Sequence, residues 1–476
     1  MSNNNQPEIN TPLTEGSGKK KSSFSSKLGF VLAAAGSAIG LGNLWRFPYL
    51  AAEYGGGIFV LCYIILAVTI GFVLLTLEIG IGRKTGKSVI GAFPALNKKF
   101  KWFGYVCVIV PMIIVPYYSV IGGWVVKYIV AFISGDKSVV GDITSAGSSE
   151  YFGSFISSTY EPLIFFLIFA VISLVIVAFG VQKGIEKMSK ILMPILAVMA
   201  VFLMIYVLCQ PGAFDGFKFF LVPDFSKFGP KTVLAALGQL FYSMSLAMCI
   251  MITYGSYMKK KDNIRSSARQ ISIFDTAFAI IAGLIIIPAI FAFSGSSAET
   301  ENILGSSGPS LMFIQLPVIF NRIPGGQIIG IIFFILVFFA ALTSCISLIE
   351  AIVAVLCEKG KIKRVTACLI VFGIIFVLGT LSSLGFGVLD GFSFTFQGKT
   401  MGILDLFDLI ANNILMPIVA IITCVFAGWC IEKHTITQEL GIENNKLKSN
   451  YFRIMVKFVA PICILAILVT GLFIPL

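Results

Sequence analysis

The chain has 476 residues, 57% of them hydrophobic and 12% charged, with a mean hydropathy of +0.95 and a formal net charge of +12. A water-soluble domain carries about 25% charged residues, so neither a soluble enzyme nor a disordered chain fits this balance. Stretches such as 58–81, where Glu78 is the sole charge, are also too uniformly apolar for the alternating strands of an outer-membrane barrel and point to helices that cross the bilayer.

Residues 1–26, rich in Ser, Asn, Gly and Lys, read as a disordered cytoplasmic tail. They do not read as a cleaved signal, because the apolar run behind them is long and contains Arg46. Apolar runs then fall near 28–50, 58–82, 103–134, 162–180, 191–209, 232–257, 271–295, 327–357, 364–385, 403–430 and 455–475. They predict an all-α polytopic membrane protein of 11 transmembrane helices, the transmembrane domain occupying 27–476. Of the 35 Lys and Arg residues, 27 fall in the tail and the loops on its side of the membrane, six fall in the opposite loops, and Arg46 and Lys127 lie within spans. This bias places the N-terminus in the cytoplasm. Basic residues spread over six inner segments offer no single face to a nucleic acid. The outer loops 135–161 and 296–326 contain no cysteine, so no disulfide framework is expected. His434, beside Glu432 and Lys433, reads as a solvated loop residue. With no zinc-protease, nucleophile-elbow or Walker motif in the sequence, an enzyme is not expected.

Two spans contain residues that a lipid-facing helix avoids. The first holds Gly36-Ser37-Ala38-Ile39-Gly40-Leu41-Gly42-Asn43 at its middle, and the sixth holds Gln239-Leu240-Phe241-Tyr242-Ser243-Met244-Ser245. Gly36 and Gly40 alone would also serve simple helix packing. Two interrupted helices that each open a group of five spans suggest instead an inverted 5+5 repeat, about 27–209 and 232–432, with a midplane binding site and an extra helix near 453–475. Backbone amide and carbonyl groups freed at such breaks bind anions and cations respectively.

The run from Leu28-Gly29-Phe30 through Gly40-Leu41-Gly42-Asn43-Leu44-Trp45-Arg46-Phe47-Pro48-Tyr49 to Gly55-Gly56-Gly57 resembles the first helix of the neurotransmitter:sodium symporter family, and in particular its bacterial amino-acid transporter branch, which includes the bacterial leucine transporter. Glu78 to Gly82-Arg83, Tyr117-Tyr118 with Trp124, Lys183-Gly184-Ile185-Glu186 with Met193-Pro194, Pro223-Asp224-Phe225 and Phe338 to Ser344 extend the likeness over roughly 21–432.

The resemblance implies two sodium sites. The first would use Ala38, Asn43 and Ser243, together with the substrate carboxylate, and the second Gly36, Ile39, Ala340, Thr343 and Ser344. Sodium is a hard ion that takes neutral oxygens of this kind. For Thr343 and Ser344 the plain alternative is hydroxyl bonding to the preceding helical turn. Chloride-independent relatives carry an acid in the seventh helix. An ungapped match puts Phe278 at that position, while Asp275 lies within one turn of it, so Asp275 is expected to supply the charge at the first site and chloride not to be required.

Substrate contacts implied by the likeness are Ser37, Ala38, Gly42, Ile114, Tyr118 and Tyr242, then Ser243, Ser245, Met248, Ser344 and Leu348. Monoamine carriers have an aspartate where this chain has Gly40. The substrate is therefore expected to be a neutral hydrophobic or aromatic amino acid that brings its own carboxylate. Ala247-Met248-Cys249 stands where the family commonly has glycines, which is expected to restrict unwinding of the sixth helix. Arg46 with Asp408 matches the outer gate, and Lys21 with Glu358 the inner one. The implied activity is sodium-coupled import by alternating access in a bacterial cell inner membrane, with a homodimer allowed. The alternatives are a proton-coupled or exchanging permease of the same fold, or a membrane amino-acid sensor.

Overall fold

The computed structural model describes residues 23–306 and 308–473, which are almost entirely helical. Among the described residues, nine helices are long and apolar enough to cross a membrane, from Gly57–Thr85 to Lys446–Phe473. A tenth crossing is the first span, a pair of helices, Lys27–Ala38 and Gly42–Glu53, bent by 52°. The sixth span is divided into Pro230–Ser243 and Ile250–Tyr257, and neither half alone is of membrane length. The predicted breaks in the first and sixth spans are therefore both present. Several helices overrun their apolar stretch: the run at 191–209 belongs to Val181–Leu208, that at 271–295 to Ile264–Phe293, and that at 455–475 to Lys446–Phe473. Hydropathy marks the hydrocarbon layer, whereas the helix continues into the headgroup region where Lys and Arg are at home.

The break in the sixth span lies later than expected. Residues 239–243 are still helical, and the chain leaves the helix over 244–249. Ser245, Ala247 and Cys249 take φ of +52°, +60° and +66°, a region that favours glycine. The substitutions that were expected to restrict unwinding thus coexist with a fully unwound segment. Local partners compensate: Glu78 Oε1 accepts a hydrogen bond from the Ala247 N–H at 2.7 Å, and the Cys249 thiol donates to the Cys107 carbonyl at 3.0 Å.

The last residues of the expected tail, 23–26, are docked. Phe24 is buried, packed edge-on against Phe30 and Tyr254. Glu186 accepts from the Ser25 N–H at 2.7 Å, and Gln182 donates to the Ser23 carbonyl at 2.7 Å. One apolar side chain and these bonds are enough to order four residues whose composition alone reads as coil. Residues 1–22 lie outside the described part.

The second span and the inner half of the sixth pack with backbones nearly touching: a Cβ at Gly82 would fall 2.0 Å from the Ile252 carbonyl oxygen, and one at Gly255 2.5 Å from that of Ile79. Arg83, at the inner end of the second span, donates to Glu439 of the short helix Thr435–Glu439 at 2.7 Å, and Lys260 reaches the same oxygen at 3.0 Å. Burial pushes the Glu439 carboxyl up, but the bonds from Lys260 and Arg83 outweigh it and leave it below its ordinary value. On the outer side, the helices Ser145–Ser157, Ala213–Leu221 and Ser297–Leu304 and the antiparallel hairpin Phe394–Phe396 with Lys399–Met401 lie between the spans.

Candidate functional site

The first span stops at Ala38 because Ile39 turns extended (φ −76°, ψ 97°), and helical geometry resumes at Gly42. Backbone carbonyls that would point along an intact helix are turned towards the eighth span, Gly326–Lys359. The Ser344 hydroxyl sits among them, 3.0 Å from the Ser37 oxygen, 3.3 Å from that of Ile39 and 3.4 Å from that of Gly36. Thr343, one residue earlier, bonds within its own helix to Phe339 at 3.0 Å and Ala340 at 3.1 Å. Gly36, Ile39, Ala340, Thr343 and Ser344 therefore gather in one place, with Thr343 in the back-bonded arrangement. All the groups offered there are neutral oxygens.

A second cluster surrounds Asn43. Its amide donates to Asp275 Oδ1 at 2.8 Å and to the Ser243 hydroxyl at 3.1 Å, while Ser243 donates to the same carboxylate oxygen at 2.6 Å. Asn43 Oδ1 accepts from the Gly40 N–H at 3.3 Å. Asp275 is fully buried in the seventh span, Ile264–Phe293, and is the acid of the cluster; Phe278 is buried apolar packing one turn on. Tyr63, which sequence reasoning missed, donates to Asp275 Oδ2 at 2.9 Å, its oxygen lying 3.1 Å from that of Ser243. A buried tyrosine must place its hydroxyl, and that was the available signal. Gln239 was also missed as a brace; its amide donates to the Gly42 carbonyl at 2.9 Å and ties the two broken helices together.

Between the clusters lies a cavity of about 30 Å³. All eleven side chains and backbone positions expected at the substrate line it: Ser37, Ala38, Gly42, Ile114, Tyr118 and Tyr242, with Ser243, Ser245, Met248, Ser344 and Leu348. Gly40 lines it too, and a Cβ there would meet Ser344 Oγ at 2.6 Å and Tyr118 Oη at 3.0 Å. Tyr118 Oη accepts from the Leu41 N–H at 3.3 Å, which aims the phenol at the break. Ile114, Met248 and Leu348 give the lining its apolar part, while hydroxyls and backbone give it its polar part. A volume of this size holds about one water, so an amino acid enters only if side chains move.

Tyr242 is the roof. Its ring lies so close to the first helix that a Cβ on Gly42 would fall 2.4 Å from the ring's Cδ1. Above it opens a vestibule of about 910 Å³ bounded by Arg46, Asn412 and the hairpin residues Phe396 and Gln397. The predicted outer gate is not joined: Arg46 stacks over Tyr242 at 5.4 Å, and Asp408 accepts from Asn412 at 2.6 Å. With the outer pathway open to the roof, the two charged groups are satisfied separately. At the inner gate Lys21 lies outside the described residues, and Glu358 accepts from the Ser88 N–H at 2.6 Å, at the start of helix Val89–Leu96. At the end of the first span away from the vestibule, buried Phe24 packs against Tyr254, and Tyr257 donates to Glu350 at 2.8 Å; Arg364 pairs with the same carboxylate.

Two broken helices whose freed backbone faces hydroxyls and one buried acid, beneath a vestibule open on one side, define a membrane transporter with a midplane site. The family model for the sodium:neurotransmitter symporter family matches residues 21–137 and 156–474, and the chain belongs to that family. It is 36% identical over 453 residues to the uncharacterized sodium-dependent transporter YhdH of Bacillus subtilis, covering 94% of this chain and 97% of that one. It is 26% identical to the sodium- and chloride-dependent taurine transporter of Rattus norvegicus, covering 88% and 73%. The crystal structure of MhsT in complex with L-phenylalanine is similar to it with a TM-score of 0.84 and 38% identity, covering 95% of this chain and all of that one. The protein is thus a multi-pass, sodium-dependent transporter and not an enzyme.

Proposed function

We propose that the protein imports a neutral hydrophobic or aromatic amino acid with sodium, by alternating access, across a bacterial cytoplasmic membrane with its N-terminus inside. The observation that carries this reading is the mixed lining of the cavity: Tyr118 and freed backbone beside apolar Ile114, Met248 and Leu348, with Gly40 where an amine carrier would need an acid. The substrate carboxylate faces Asn43, Ser243 and Ala38 and completes the first sodium site there. Gly36, Ile39, Ala340, Thr343 and Ser344 hold a second ion. Asp275 balances the charge of the first ion, so chloride is not needed. The MhsT complex with phenylalanine supports a substrate of this class.

The test is a scan of amino acids against thermal unfolding of the purified protein, with sodium or potassium, since a ligand raises stability by mass action. Protection by aromatic or large aliphatic amino acids in sodium alone is expected, followed by sodium-driven accumulation in proteoliposomes. Accumulation indifferent to sodium would replace this reading with the proton-coupled or exchanging one. Protection without accumulation would point to a sensor.

A further inference from the structure

The helix Lys446–Phe473 has 28 residues, about 42 Å at 1.5 Å per residue, against about 30 Å of hydrocarbon. Its surplus is at the cytoplasmic end, where Leu447, Tyr451, Ile454 and Phe458 form an exposed stripe continuous with the lipid-facing Ile462 and Leu465. The same turns carry Arg453 and Lys457, which with Lys433 line a shallow groove against the end of the tenth span. The Lys457 stem crosses Gly428, where a Cβ would fall 2.8 Å from its Cγ, and its ammonium lies 4.3 Å over the ring of Trp429. Trp429 is 58% exposed and meets Phe458 edge-on at 5.5 Å. Among the described residues, Lys433, Arg453 and Lys457 make no ion pair, although Glu432 also lines the groove.

We infer that this groove binds the phosphate headgroup of an anionic phospholipid of the cytoplasmic leaflet. Three unpaired cations converge at headgroup depth, above aromatic rings that face the acyl chains. Trp and Tyr prefer that depth, and each basic residue near an anionic leaflet adds to the attraction. An Arg fork and two Lys point charges suit a phosphodiester, and the edge-on Trp429–Phe458 pair offers exposed apolar surface to the chain beneath. The commitment is to the intact lipid, because the exposed Leu447, Tyr451, Ile454 and Phe458 lie outside the groove that a free phosphate would use.

The experiment is native mass spectrometry of the full chain released from mixed phosphatidylglycerol and phosphatidylcholine membranes. One retained phosphatidylglycerol is expected, with retention falling about tenfold or more in the K433Q/R453Q/K457Q variant and unchanged in K98Q/K99Q/K101Q, which removes as much inner-face charge elsewhere. Equal loss in both variants, or none in the first, overturns the assignment. So does heat protection by glycerol 3-phosphate equal to that by phosphatidylglycerol, which would reveal a free-phosphate site. Fluorescence gives a reading that needs no change in the groove: in Trp102→Phe protein, phosphatidylglycerol with brominated chains should quench more strongly than its phosphatidylcholine counterpart. Equal quenching by the two lipids overturns the inference as well.

Discussion

Asp275 is the most informative residue to change. Its carboxylate accepts three hydrogen bonds, from Ser243 at 2.6 Å, Asn43 at 2.8 Å and Tyr63 at 2.9 Å, in a site with no exposure to water. Asp275→Asn keeps the shape but removes the charge. Two unit charges about 5–6 Å apart attract by about 3 kcal/mol at an effective dielectric of about 20, so losing the carboxylate charge should loosen the grip on sodium roughly 100-fold. Asp275→Ser removes the carboxyl altogether and leaves room for an anion. The assay is substrate uptake into proteoliposomes against sodium concentration, in chloride and in gluconate. The expected result is wild-type uptake indifferent to chloride, a rise of about 100-fold in half-saturating sodium for Asp275→Asn, and partial recovery by chloride for Asp275→Ser. Wild-type uptake that fails without chloride, with Asp275→Ser leaving that dependence unchanged, would refute the reasoning.

Ser344→Ala should destabilise the sodium-free protein by about 1 kcal/mol while Thr343→Ala costs less, because Ser344 joins two spans and Thr343 bonds within its own helix; thermal unfolding in potassium checks the order, and sodium protection should weaken in both. Gly42→Ala would force the Tyr242 ring aside, since the new carbon would lie 2.4 Å from it, so substrate KM should rise about tenfold or more, the scale of a 1.4 kcal/mol penalty, while the melting temperature in the absence of ligand changes little. Glu439, whose carboxyl is held below its ordinary value, contributes stability that is present above the unfolded-state pKa of about 4.3 and lost as pH falls further. Glu439→Gln should therefore lower the melting temperature at pH 7 and reduce its difference from wild type towards pH 3; a constant difference across that range would contradict the clasp.

What the sequence made legible was chemistry that is costly in lipid. Three glycines and an asparagine in mid-span have no cheap explanation as a lipid-facing helix, and the first break lies among them, with the bend following Ala38. Asp275 was reached through the family likeness, which grouped it with Asn43 and Ser243, and both of those side chains do bond to it. Tyr63 stayed hidden because tyrosine is ordinary in an apolar span, and only the fold brings its hydroxyl to Asp275. The sixth break was placed too early for a related reason: Tyr242 and Ser243 look polar, yet they remain helical, and unwinding begins where Glu78 can cap the freed Ala247 N–H. The expected pairing of Arg46 with Asp408 is absent here, Arg46 lying over Tyr242 and Asp408 bonded to Asn412, a choice of partners that composition does not encode.

The two closures of the cavity differ in kind, and this decides how sodium can couple to the substrate. Outside there is one ring with a guanidinium over it, Tyr242 and Arg46, so admission needs little more than a rotamer change. Inside, Phe24 is sunk among aromatic side chains, Glu350 is paired with Arg364 and bonded to Tyr257, and Glu439 binds Arg83 and Lys260 together. In the alternating access proposed above, the inner half of the first span would leave the eighth, and that would break the bonds from Ser344 to the Ser37 and Ile39 carbonyls. An ion ligated by Gly36, Ile39 and Ser344 as proposed binds only while those two helices are together. By linkage it must stabilise the state in which the inner side is closed. In the proposed mechanism, high sodium outside would hold the carrier open to the vestibule until substrate arrives, and the lower sodium of the cytoplasm would let the joint part.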